Sequence, residues 1–146
     1  MYKRKLYLGI IVLGLLTLIA GACSGGAEDT VTLKDTSWVL ESYGAQGNLQ
    51  TVLVGTEITV KFDRAEDRIH GSSGCNTYGG TYHISGNELL ISDLYNTEMA
   101  CFEPEGVMEQ EGKYLNLLRV AESYQIQNGT LQIDSGGQKL IFSAKP

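Results

Sequence analysis

The chain has 146 residues, enough for one domain with its own core. Its 17 Asp and Glu outnumber 11 Lys and Arg, giving a formal net charge of −6. That balance argues against nucleic acid, whose binding rests on cations that neutralise phosphates, and against a polybasic hold on anionic lipid.

The first five residues carry Lys3, Arg4 and Lys5, and Leu6 to Ala20 follow without a charge. A membrane span needs roughly 20 apolar residues. This run is shorter and ends in small residues before Cys23, so residues 1–22 read as a signal peptide. Leu18-Ile-Ala-Gly-Ala-Cys23 resembles a bacterial lipobox, with Ala20 where that motif most often has Leu. The resemblance implies cleavage before Cys23, lipid on its sulfur and acylation of the new amino terminus. The expected location is the cell envelope, membrane-anchored at Cys23, with the domain outside the cytoplasm. Residues 23–32 read as a flexible tether, and residues 33–144 as the folded domain.

Thr36 to Tyr43 mixes β-branched and aromatic residues and reads as a first strand, with Trp38 and Leu40 on one face and Val39 on the other. Gly44 to Gln50 reads as a loop. Thr56 to Phe62 alternates, placing Ile58, Val60 and Phe62 inward, as in a half-buried antiparallel strand. Arg68 to Ser72 is a short third strand, and Ile69 to Tyr82 reads as a tight, glycine-rich crossover. Thr81 to Ser85 and Glu88 to Leu94 form a hairpin about Gly86-Asn87.

The period then changes. Pro104 suits the first position of a helix reaching about Val120. Val107, Met108, Tyr114, Leu115 and Leu118 supply its apolar face, and Glu109, Gln110 and Lys113 its exposed side. Gly112 is expected to pack closely on the sheet. Asn128-Gly129, between the alternating runs Ser123–Gln127 and Thr130–Asp134, is a strong hairpin signal. Ser135 to Gln138 turns into a last strand, Lys139–Ser143. The fold expected is mainly β (α+β), an antiparallel barrel-like sheet of about eight short strands with one helix inserted late in the chain.

With Cys23 acylated, Cys75 and Cys101 remain, and outside the cytosol they are candidates for a disulfide. Two reduced, buried cysteines are one alternative. Zinc held with His70 and His83 is another, although no paired ligand spacing supports it. Ser72 or Ser73 beside either histidine could be drawn as a catalytic dyad, but the Gly-x-Ser-x-Gly elbow is missing. Glu103, Glu105, Glu109 and Glu111 read as a solvated helix face. Tyr78, Tyr82 and Tyr95 could line a ligand mouth, but tyrosines on strands more often pack with a wet hydroxyl.

Leu33-x-x-Thr36-x-Trp38-x-Leu40, Gly74-Cys-Asn76-x-Tyr78-x-Gly80-x-Tyr82, Thr97-x-Met99-Ala100-Cys101 and the ending Leu131-x-Ile133 with Leu140-x-Phe142 resemble the META domain of bacterial lipoproteins similar to the heat-shock protein HslJ. The resemblance runs from Leu33 to Ser143. It implies a compact antiparallel β fold with one helix, in an envelope protein linked to stress tolerance. It implies no catalytic residues, and no cofactor or metal is expected. The expected function is therefore a non-enzymatic envelope lipoprotein, monomeric as a domain, that supports stress resistance or binds a protein partner. The alternative is a barrel that binds a small apolar or peptide ligand, which an apolar cavity among Val60, Phe62, Tyr82 and Ile91 would favour.

Overall fold

The computed structural model describes residues 31–145. The signal segment and Cys23 lie outside the described residues. Among the described residues there are nine strands and one helix: β1 (Ser37–Ala45), β2 (Asn48–Thr51), β3 (Thr59–Asp63), β4 (Arg68–Ser72), β5 (Thr77–Ser85), β6 (Glu88–Asn96), α1 (Val107–Arg119), β7 (Ala121–Gln127), β8 (Thr130–Ser135) and β9 (Gln138–Ala144). All strand pairs are antiparallel, in the order β1-β3-β4-β5-β6-β7-β8-β9, and β9 pairs back onto β1. The result is a closed eight-stranded barrel with β2 as an extra strand on the far half of β1. Closure gives every barrel strand a neighbour on both sides, most fully away from the β6–β7 seam.

Alternation drives this closure. Trp38, Ile58, Val60, Phe62, Ile69, Leu131, Ile133, Leu140 and Phe142 are fully buried inside the barrel wall. Each contributes on the order of 1.5–3 kcal/mol by leaving water. Val60, Phe62, Tyr82 and Ile91 are all part of this core, and the Phe62 and Tyr82 rings meet edge to face with centroids 5.2 Å apart. The β6–β7 seam is thin, with one register pair, Glu88 with Ser123. The helix occupies the connection between these strands. It lies over the barrel end that carries the Leu53–Thr56 loop and the β4–β5 turn.

The glycine-rich stretch is a hairpin rather than a crossover. β5 begins at Thr77, so the turn is only Ser73–Asn76, and Tyr78, Gly79 and Gly80 are strand residues. Gly80 tolerates this because β6 presses close at a bulge. A β-carbon there would stand 2.9 Å from the Ser92 carbonyl oxygen. The stretch read as a loop, Gly44 to Gln50, holds the end of β1 and most of β2, whose four residues are all exposed, so burial left no alternation to read.

The helix begins at Val107, later than its proline implied. Pro104 lies in the preceding turn, where its carbonyl accepts from Val107 N, and Gly106 starts the helix with φ 87°. Two further expectations fail on its faces. Gly112 faces solvent with nothing near it, and Met108 is exposed, whereas Gln110 and Glu111 are buried.

Candidate functional site

The residues that stood out in the sequence converge at the barrel end beneath the first turns of α1. Gly74 turns the chain with φ 107°, a conformation costly for any residue with a β-carbon. Cys75, next to it, is bonded to Cys101, with the two Cα atoms 5.9 Å apart. This disulfide ties the β4–β5 turn to the segment running from β6 to α1. Neither cysteine is free for zinc, and His70 and His83 are exposed on β4 and β5. Among the described residues no group of three or more His, Cys, Asp and Glu could hold a metal ion.

Asn76 uses its whole side chain. Its Nδ2 donates to Glu111 Oε1 (2.7 Å) and to the Met99 carbonyl (3.1 Å). Its Oδ1 accepts from Met99 N (2.8 Å) and Thr97 Oγ1 (2.7 Å). Asn76 therefore supplies the loop between Thr97 and Met99 with the partners that a strand neighbour would otherwise provide. Glu111 accepts a second set of bonds at Oε2, from Asn76 N (2.8 Å) and Ser73 Oγ (2.5 Å). A carboxylate 4% exposed, with three donors aimed at it, is a structural acceptor that draws α1 onto the turn. Ser73 is spent in this contact, and Ser72 Oγ accepts from Gly74 N (3.2 Å). Neither serine is arranged with a histidine.

Gln110 repeats the device one residue earlier. Its Oε1 accepts from Leu53 N (2.7 Å), and its Nε2 donates to Thr56 Oγ1 (3.0 Å). One helical turn on, the hydroxyls of Tyr114 and Tyr78 meet at 2.6 Å, and the Tyr78 hydroxyl lies 2.8 Å from the Thr59 carbonyl. A carbonyl can only accept, so Tyr78 donates to Thr59 and Tyr114 donates to Tyr78. Burial pushes both phenols above their ordinary range, with the neighbouring hydroxyl a smaller influence. Tyr82 is separate from this end. Its hydroxyl donates to the Asp63 carbonyl (2.9 Å) at the β3–β4 turn, and Lys34 Nζ lies over its ring. Tyr95 is exposed on β6, so the three tyrosines do not form one mouth.

Glu111, Gln110, Ser73 and Tyr114 complete the site, and the polar three were not picked out as its members. A signal for the two helix residues was present. Val107, Tyr114 and Leu118 recur as a helix face, and positions 110 and 111 fall on that same face. Their polarity disguised a buried address.

Around this pinned end the Thr97–Gly106 segment is exposed. Phe102 is 86% accessible, and Met99 and Ala100 also face solvent. The family model of the META domain matches residues 31–146. The chain belongs to the META domain family. Within this META domain, the Gly74-Cys75-Asn76 and Met99-Ala100-Cys101 blocks are thus the two halves of one hydrogen-bonded, disulfide-linked clamp.

Solved structures share its fold. The NMR structure of a protein from Burkholderia xenovorans is 32% identical with a TM-score of 0.66, over 77% of this chain and 83% of that one. A second protein solved by NMR is 24% identical with a TM-score of 0.58, over 77% and 94%. The crystal structure of a DUF4847 family protein from Bacteroides vulgatus is 15% identical with a TM-score of 0.55, over 81% and 96%. The latter two likenesses concern the fold alone. No curated protein matches the chain.

Proposed function

We propose that this META-domain protein is a non-enzymatic envelope lipoprotein, anchored through Cys23, that binds a protein partner and thereby supports stress resistance. One observation carries the partner-binding part. The side chains that an apolar ligand chamber would need, Val60, Phe62, Tyr82 and Ile91, are packed into the core. The motif's polar atoms are bonded among themselves, and the pinned loop beside them exposes Met99 and Phe102. The anchoring part rests on the sequence before Cys23.

The test is fatty-acid labelling and envelope fractionation of the full chain and of Cys23→Ala, with survival of both strains under heat and antibiotic stress. The expected result is label and membrane recovery only with Cys23, and a survival defect without it. Unlabelled wild-type chain, or equal survival, would overturn the corresponding part.

A second reading has its own observation. A groove of about 540 Å³ runs between α1 and the β1–β2 hairpin, with Tyr43, Leu117 and Val120 as apolar wall and Lys113 and Asn116 as polar groups. Its size suits a small ligand. Saturable uptake of a small apolar compound, abolished by Leu117→Trp, would favour this reading.

A further inference from the structure

We propose that the Thr97–Gly106 loop is the surface on which the partner docks, and that the partner presents an apolar socket rimmed by Lys or Arg. This rests on the partner-binding reading above and names its surface.

Three features converge on the loop. It exposes apolar side chains: Phe102 is 86% accessible, Met99 57%, and Met108, which faces the loop from α1, 40%. Cys101 N donates to Met108 Sδ (3.4 Å), so Met108 lies against the loop. Scattered apolar residues on a surface need no explanation, but an exposed aromatic and two exposed methionines on one loop and the helix turn against it have the composition of an interface core.

The loop is also held in place. Asn76 grips both the N–H and the carbonyl of Met99, and the disulfide fixes Cys101 immediately before Phe102. A loop clamped on both sides of its apolar residues has little backbone ordering entropy left to lose on binding. The buried network thus has a use beyond stability.

Finally, the loop is acidic. Glu98, Glu103 and Glu105 are exposed, and no Lys or Arg occurs between Thr97 and Gln110. The nearest cation along the helix, Lys113, is 2.9 Å from Glu109 and already paired. An acidic rim around an apolar centre repels anionic lipid and a second copy of itself, and complements a basic protein surface.

The test is photo-cross-linking in intact envelopes, using the full chain with benzoylphenylalanine in place of Phe102, or in place of Leu90 as an exposed control on β6. The expected adduct at 102 maps to a protein segment rich in Lys and Arg. Glu103→Gln/Glu105→Gln lowers its yield about tenfold, and added oligolysine, unlike oligoglutamate, competes. The matched pair Glu66→Gln/Glu88→Gln, at the other barrel end, leaves the yield unchanged. A lipid adduct, an adduct to an acidic segment, or equal sensitivity to both glutamate pairs overturns the proposal. Adducts at 90 but not at 102 overturn this surface and leave the partner-binding reading standing. Adducts at neither position overturn both.

Discussion

Asn76 on the β4–β5 turn and Glu111 on α1, separated by 35 positions, share two hydrogen bonds, one from the side-chain amide (2.7 Å) and one from the backbone N–H (2.8 Å). Both residues are almost wholly buried. The relationship makes the turn's geometry a condition for seating the helix. It yields an ordered forecast. Asn76→Asp places a second carboxylate against Glu111, and in a buried site this is expected to cost about 3–5 kcal/mol. Asn76→Ala leaves Glu111 with its other donors and should cost less, about 1–3 kcal/mol. Urea titration of both variants checks the order, and equal losses would show that the contact is not electrostatically tight.

The disulfide should stabilise mainly by restricting the unfolded chain. With a sequence separation of 26 between the cysteines, its loss is expected to cost about 3–4 kcal/mol. Cys75→Ser, Cys101→Ser and the double variant should fall by similar amounts, because one bond is lost in each. Reductant should lower the wild type to the same level and leave the variants alone. Two free thiols besides Cys23 in the unfolded, unreduced chain would contradict the bond.

Alkali should unfold the domain through Tyr78 and Tyr114. Burial raises both phenols in the folded state, whereas in the unfolded chain they ionise near pH 10. The unfolded state therefore loses protons first. The stability is intact below about pH 10 and falls as pH rises above it, by up to about 1.4 kcal/mol per pH unit for each tyrosine. Denaturation midpoints measured between pH 8 and about 11 should show this slope, and Tyr78→Phe/Tyr114→Phe should flatten it. An unchanged slope in the double variant would place the effect elsewhere.

Gln110 offers a smaller effect of a different kind. Its amide closes the Leu53–Thr56 loop onto α1, so Gln110→Ala should cost about 1–3 kcal/mol by orphaning Leu53 N. Hydrogen exchange at Leu53 should accelerate in this variant by more than exchange in β8 and β9. Uniform acceleration would instead mean global destabilisation without local release.

The barrel was legible because its evidence is local. Ile58-x-Val60-x-Phe62, Leu131-x-Ile133 and Leu140-x-Phe142 alternate with period two, and Asn128-Gly129 names its own turn, so strand, inward face and hairpin can all be read from neighbouring residues. The Gly74-Cys75-Asn76 and Met99-Ala100-Cys101 blocks were equally visible as residues that matter. Their disulfide was legible from the cysteine count, whereas the hydrogen bonds that join them to α1 were decided by the tertiary structure. Closure of β9 onto β1 and the seating of α1 over one end bring Ser73, Asn76, Met99 and Glu111 within hydrogen-bond reach. A glutamate on a helix is ordinarily a solvated residue, and nothing in the order of the chain says that three donors from a distant turn will surround it. Burial is a property of what packs from elsewhere, and so the polar half of this site had no signature in the sequence beyond its place on an apolar helix face.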